Sequence, residues 1–419
     1  MHRHRQLVHR LVLAAVLVAT GASSAVAQTG VAGSAGEWLT QYSSARTLGL
    51  GGAFVASADD ALGTLWNPAG LPLLDQNQLR FETALLYEGT SINAVGLAVP
   101  GSRWPSVGVS VLSLGSGDFQ RTDALNNPLG SFSEGETAYL LTLAKSFTPR
   151  LALGANVKVV QQTIEAFNGG GFGMDLGGIV SLTPALRVGL SAANLGGPRI
   201  TLRDVAEPWP SLVRAGAALN VLGGRATLFG ELDQSQGLGT QMRVGSEYHL
   251  FQGLTMRVGY DDTRATGGFS YQVSPRYDID YGVADHPLGM THRVGISYRF
   301  GGFYASSHAD PEVFSPTGEH AVTRISLNAR TKGTPESWAL EIVDKSDRVV
   351  RRFGGEGAPS PHIEWDGKDE TGLPLADGTY RYHLEVRDRQ GRILESTVRA
   401  LEISTSGPQG SVPVIPVQP

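Results

Sequence analysis

Between Leu79 and Phe300 the chain consists of about fourteen short segments in which every second residue is apolar. A period of two is a strand period. It gives each segment one apolar face and one polar or small-residue face. In Leu254 to Tyr260, Leu254, Met256, Val258 and Tyr260 share a face opposite Thr255, Arg257 and Gly259. Leu186, Val188, Leu190 and Ala192 oppose Arg187, Gly189 and Ser191. Tyr277, Ile279, Tyr281 and Val283 oppose Arg276, Asp278, Asp280 and Gly282. In the last segment His292, Val294, Ile296, Tyr298 and Phe300 face one way, and Thr291, Arg293, Gly295, Ser297 and Arg299 the other. The segments lie near 79–87, 92–99, 106–114, 136–147, 150–162, 173–182, 186–193, 211–219, 225–233, 240–250, 254–260, 267–273, 276–283 and 291–300.

A water-soluble sandwich alternates in the same way. Segment length favours a membrane barrel, whose tilted strands need roughly 9–11 residues. Tyr and Phe near the strand ends fit aromatic girdles. The count is even, as in single-chain bacterial barrels, and closure leaves no unpaired edge in lipid. Charged residues make up only 17% of the chain and glycine is abundant, with 54 residues. The expected fold is therefore all-β: a transmembrane antiparallel β-barrel of about fourteen strands over 78–300, preceded by a hatch or plug segment over 28–77. Lumen-facing Lys158, Asp175, Arg187, Arg243, Glu247, Arg257, Asp278, Asp280, Arg293 and Arg299 mix both signs. They read as ion pairs filling a narrow barrel, or as a polar path.

The first 27 residues have the build of an export signal. His2, Arg3, His4, Arg5, His9 and Arg10 form a basic region, Leu11 to Ala19 an apolar one, and Ala25-Val26-Ala27 a cleavage site. Formal net charge is −5, and loss of Arg3, Arg5 and Arg10 with the leader makes it −8. That argues against nucleic acid as a partner. There is no cysteine, which excludes disulfides and lipoprotein attachment.

Residues Ser44 to Leu71, SARTLGLGGAFVASADDALGTLWNPAGL, do not alternate. Gly49, Gly51 and Gly52 permit a sharp turn. Ala56 to Leu65 is expected to be a short helix with Asp59 and Asp60 near its positive end, stopped at Asn67-Pro68-Ala69. This run, followed by the alternating segments, resembles the PorV/PorQ family of outer-membrane proteins, themselves similar to FadL-type fatty-acid transporters. The resemblance implies that the segment enters the lumen as a hatch, with Gly49, Gly51, Gly52, Asp59, Asp60, Asn67, Pro68 and Ala69 as gating residues. The alternative is a cap that only stabilises the barrel. Gly295, Tyr298 and Phe300 resemble the C-terminal signal read by the barrel assembly machinery, here internal.

Residues 301–317 read as a linker, and a second domain is expected over 318–404. Its short strands at regular spacing suggest a small β-sandwich. Trp365-Asp366-Gly367 and Asp377-Gly378-Thr379-Tyr380 resemble the FlgD-type Ig-like domain, which implies core roles for Trp365 and Tyr380 and a tight turn at Asp377-Gly378. Asp366, Asp369 and Glu370 lack calcium-loop spacing and read as a solvated turn. The Pro-rich tail 405–419 is expected to be disordered.

No nucleophile elbow, phosphate loop or paired-histidine zinc motif is present. No catalytic residue, metal or cofactor is assigned. The PorV/PorQ resemblance implies a non-enzymatic part in protein secretion of the type IX kind, with exported proteins or secretion-system subunits as partners. The FadL resemblance implies passive transport of hydrophobic small molecules. Outer-membrane lipid is a partner in either case. An even strand number puts both barrel ends on one side, so the C-terminal domain is expected in the periplasm.

Overall fold

Alternation becomes a closed wall in the computed structural model, which describes residues 36–40, 42–87, 89–117, 119–236, 239–251, 253–317 and 321–405. The expected leader and Pro-rich tail fall outside these, apart from Thr405. Two compact units meet between Phe300 and Gly301.

The first unit opens with two short helices, α1 (Glu37–Thr40) and α2 (Ala45–Gly49). Its first nine strands are β1 (Asn77–Leu85), β2 (Ser91–Val99), β3 (Ser106–Gly115), β4 (Phe119–Thr122), β5 (Pro128–Phe132), β6 (Glu134–Thr148), β7 (Leu151–Ile164), β8 (Phe167–Ser181) and β9 (Leu186–Leu195). The remainder are β10 (Arg199–Thr201), β11 (Ala206–Pro208), β12 (Leu212–Val221), β13 (Ala226–Ser235), β14 (Thr240–Phe251), β15 (Leu254–Tyr260), β16 (Ala265–Ser274), β17 (Tyr277–Ala284) and β18 (Thr291–Phe300).

Fourteen of these strands form one closed antiparallel barrel. Each pairs with the next in sequence once the hairpins β4/β5 and β10/β11 are set aside, and β1 pairs with β18 from Asn77↔Phe300 to Leu85↔His292. The faces divide as the period requires. Phe81, Leu141, Leu190, Val258 and Ile296 are exposed on the outside, where lipid would cover them. Arg80, Asn156, Arg257, Asp280 and Ser297 are buried inside.

The two ends of the barrel differ. At the end where β1 begins and β18 finishes, connections are short, such as 149–150, 252–253 and 275–276. At the other end lie the long connections 116–133 and 196–211, each carrying a hairpin. Asn168 to Gly171 lie between the expected segments 150–162 and 173–182. They belong instead to β8, paired with 160–163, because β7 and β8 run on to a two-residue turn.

The second unit contains β19 (Tyr304–Asp310), β20 (Val313–Phe314), β21 (Thr323–Arg330), β22 (Pro335–Val343), β23 (Val349–Glu356), β24 (His362–Trp365), β25 (Gly378–Asp388), β26 (Ile393–Glu395) and β27 (Arg399–Ile403). One sheet has the order β19-β21-β24 and the other β20-β27-β25-β22-β23, with β26 on β25. Ile325, Leu340, Ile342, Trp365, Tyr382, Leu384 and Ile403 fill one core between them. The expected linker is corrected here: β19 and β20, within 301–317, are strands of these sheets. Their inward residues include Ser307 and Ala309, too small and polar to give an apolar period.

Trp365 is 1% exposed and donates to the Lys368 carbonyl, with the Phe314 and Tyr380 rings against it. Asp377 accepts from Thr405, and Gly378 (φ 150°) begins β25. Residues 366–377 carry the chain from β24 in one sheet to β25 in the other, and the expected turn at Asp377-Gly378 lies at the end of that connection.

Candidate functional site: a plugged lumen

The segment 36–76 is wound through the barrel. Gly36 lies against the Trp209 ring near the long-connection end, and the chain leaves at the short-turn end into β1. The helix expected over Ala56 to Leu65 is not formed as such; only Gly63–Leu65 is a 3-10 turn. A helix lies earlier, at α2, because Ser44 is its cap and accepts from the Thr47 N–H. Asp59 and Asp60 therefore do not serve a helix end. Asn67 is extended (φ −153°, ψ 111°), as a residue before proline should be, and its side chain caps a 3-10 turn over Pro68–Leu73.

Contact between this segment and the wall is close because the wall is glycine where they meet. A Cβ at Gly259 would lie 2.1 Å from the Gly51 nitrogen, at Gly189 2.3 Å from the Val55 oxygen, and at Gly245 2.4 Å from the Leu50 oxygen. At Gly154 it would meet the Pro68 carbonyl carbon at 2.5 Å. On the segment's own side, Gly51 has φ +65° and presses on the Tyr260 backbone, Gly52 has φ +83° beside Arg243, and Gly49 lies against Gly268. Gly51 and Gly52 are thus needed both for conformation and for approach, and Gly49, at the end of α2, for approach alone.

One relay of charge leaves the plug, runs along the wall and returns. Arg46 pairs with Asp59 (2.7 Å) and reaches Asp60 at 3.9 Å. Its Nε is 3.3 Å from Glu247 of β14. Glu247 pairs with Arg257 (2.7 Å), Arg257 with Asp280 (3.3 Å), Asp280 with Arg80 (2.7 Å) and Arg80 with Glu82 (3.0 Å). Glu82 then accepts from the Tyr42 hydroxyl and the Ala45 N–H, both at 2.8 Å. A second carboxylate, Glu231, accepts the N–H groups of Phe54 and Val55, each at 2.7 Å. Arg214 donates to the carbonyls of Thr40 and Leu65, and Thr266 accepts from Gly51. Backbone groups of an irregular segment buried in a barrel need such partners.

The later part of the segment is held differently. Leu62, Trp66, Ala69 and Leu71 are buried with Ile92, Ala94, Ala98, Leu112, Leu140 and Ile179 of the wall. Asn67 sits in a notch at Gly177 and donates to the carbonyls of Val55 and Gly178.

Every residue of the expected hatch set is therefore inside the barrel, and Asp59 and Asn67 make specific bonds there. Sequence reading missed Arg46, Arg80, Glu82, Arg214 and Glu231. The signal for the last four was alternation: each sits on the inward face of its strand. Gly295 lies inward against Arg80, while Tyr298 stacks on Tyr277 (4.9 Å) and Phe300 (5.4 Å) on the outer face. Lys158 pairs with Asp175 and Arg299 with Asp278. Among the described residues no group of His, Asp and Glu could hold a metal ion.

No protein-family model matches the chain, and no curated protein matches it in sequence. Solved structures do resemble it. The toluene transporter TodX of Pseudomonas putida matches with 13% identity over 61% of this chain and 97% of its own, at a TM-score of 0.48. A FadL homologue of Pseudomonas aeruginosa matches with 12% identity over 62% and 98%, at 0.45. The deltaS2 mutant of TodX, described as a monoaromatic hydrocarbon channel, matches with 14% identity over 63% and 100%, at 0.51. These are outer-membrane barrels of the FadL type, and at such identities the likeness is one of fold. The chain's fourteen-stranded barrel has that outer-membrane architecture.

Proposed function

We propose that the chain is a passive outer-membrane channel for hydrophobic small molecules, closed at rest by its N-terminal segment acting as a hatch. The observation that carries this reading is a separate segment filling a closed lumen and tied to the wall by side-chain bonds, not by strand pairing. Such bonds exchange for bonds to water at small net cost, so the seat is one that can be left. The apolar surface around Leu62, Trp66, Ile92 and Leu112 would line the lumen for a hydrophobic molecule once the hatch has left it altogether. The proposed cargo is of the monoaromatic hydrocarbon class, as described for TodX.

Gly49, Gly51, Gly52, Asp59, Asp60, Asn67, Pro68 and Ala69 would be the hatch residues. Gly295, Tyr298 and Phe300 would be the assembly signal. Short turns face the periplasm in bacterial barrels, which would place residues 301–419 there. That second unit favours one other reading, a PorV-like role in which an Ig-like module binds exported proteins at the outer membrane.

The test is uptake of a labelled monoaromatic hydrocarbon at low external concentration by cells with and without the protein. Faster uptake is expected. Equal uptake with the folded barrel in the membrane would contradict transport, and exported proteins retained on the purified full chain would then support the secretion role.

A further inference from the structure

The hatch is held by two unlike seats on opposite parts of the wall. Residues 42–59 meet β9, β12 to β18 and β1 through ion pairs and bonds from wall side chains to their backbone. Residues 61–73 form no ion pair with the wall; they meet β2, β3 and β6 to β8 through apolar contact, with Leu71 against Gly108 and Leu62 against Gly96, and are joined by bonds between Ala61 and Gln78, Thr64 and Asn156, Asn67 and Gly178, and Leu65 and Arg214. The relay is also uneven in its access to water. Arg80, Glu82, Arg257 and Asp280 have side chains no more than 5% exposed, whereas Arg46, Asp59 and Arg187 are 16%, 26% and 22% exposed. Arg187 stands 3.9 Å from Asp59 on the far side from Arg46. The plug's end is thus the most accessible part of the relay.

We propose that the hatch opens from one side. The Asp59–Arg46–Glu247 triad is the latch, residues 61–73 are the hinge, and the first passage to form runs between the hatch and the wall of β14 to β17. The ion pairs that join hatch to wall, Arg187–Asp59 at 22% and 26% side-chain exposure and Arg46–Glu247 at 16% and 8%, are the part of the seat nearest water, and a pair that rehydrates as it separates loses less than one that stays buried. Apolar burial is lost at about 25 cal/mol per Å² and has no such substitute. The side that yields is therefore the ionic one. Because that wall is lined by Glu247, Arg257 and Asp280, the fissure is hydrophilic and admits water and small ions before any larger opening. This inference rests on the reading of the segment as a hatch and assigns its direction of movement.

The chain lacks cysteine, so single thiols report on each side without background. Thr266→Cys lies on the latch side, where Thr266 accepts from Gly51, and Ser110→Cys on the hinge side; Thr266 is 7% and Ser110 1% exposed. The full chain carrying either thiol, with and without Arg46→Ala, is treated in proteoliposomes with a water-soluble methanethiosulfonate reagent. Arg46→Ala should raise the modification rate at 266 by about tenfold, the equivalent of 1.4 kcal/mol, and leave 110 unchanged. Equal acceleration at both positions would overturn the one-sided hinge, and acceleration at neither would overturn the latch. The single-thiol proteins with Arg46 intact, compared at about 0.1 and 1 M salt, where screening tightens to about 3 Å, give the same comparison if Arg46→Ala does not fold. Uptake of apolar cargo is not read in this assay. A barrel that fails to transport can still show one-sided labelling, and a transporting barrel can show labelling on both sides.

Discussion

Arg46, in the plug, reaches Glu247, in β14, across 3.3 Å, although 201 residues separate them in the chain. The same guanidinium holds Asp59 at 2.7 Å. One side chain therefore joins the fold of the plug to its attachment. The wall accommodates this only because it is bare where the plug backbone comes near.

The glycines of that bare wall give the first prediction. Gly259→Val puts carbon where the Gly51 nitrogen lies 2.1 Å from an ideal Cβ. The plug should be displaced and bilayer conductance should rise. Gly230→Ala, where an added Cβ meets nothing within 4 Å, should leave conductance as it was. Equal behaviour of the two variants would remove close approach as the reason for glycine.

Glu231 makes a different demand. It is 3% exposed, holds two backbone N–H groups of the plug and has Arg214 at 3.9 Å. Glu231→Ala leaves both buried N–H groups without their acceptor, a loss of about 1–3 kcal/mol for each, while Arg214 keeps Asp233 at 3.5 Å and the Thr40 and Leu65 carbonyls. The folded barrel should then unfold at lower temperature on heated gel electrophoresis. An unchanged transition would show that the plug does not depend on this carboxylate.

Much of the barrel was legible because alternation is a local signal: all fourteen barrel strands and their inward faces follow from it. What alternation cannot report is the partner across the lumen. Asp59 looked like a helix-end carboxylate in sequence, and its actual partner Arg46 lies 13 residues earlier in a helix set by Ser44. Inward glycines were visible as small residues, but their purpose depends on a segment that arrives from elsewhere. The second unit shows the same limit, since Ser307 and Ala309 bury a strand face without an apolar period.

That strand yields a prediction on domain limits. A fragment of residues 301–405 should unfold cooperatively, whereas 318–405 lacks β19 and β20 and should be less stable or unfolded. In the longer fragment Trp365→Ala should cost about 3–5 kcal/mol, as for a large aromatic removed from a core. Denaturant titration measures both. Equal stability of the two fragments would return 301–317 to the status of a linker.

Turn carboxyls of this unit contribute to its acid response. The Thr371 hydroxyl and the N–H groups of Leu373 and Thr371 hold the Asp369 carboxyl below the ordinary 3.8. The N–H groups of Arg348 and Ser346 do the same for Asp344. Carboxyls lowered on folding contribute stability above 3.8 that disappears as pH falls through their folded values. The melting temperature of 301–405 should therefore drop below about pH 4, and Asp369→Asn should lessen that drop. An unaltered slope in this variant would show that the turn does not govern it.

The central claim, that residues 36–76 close the channel, is tested most directly by planar-bilayer recording of the full chain beside a variant lacking Leu48 to Leu71. The intact protein should be closed or nearly so, and the deletion should give large, stable conductance steps. A deletion variant that folds as a barrel yet conducts no more than the intact chain would contradict the claim.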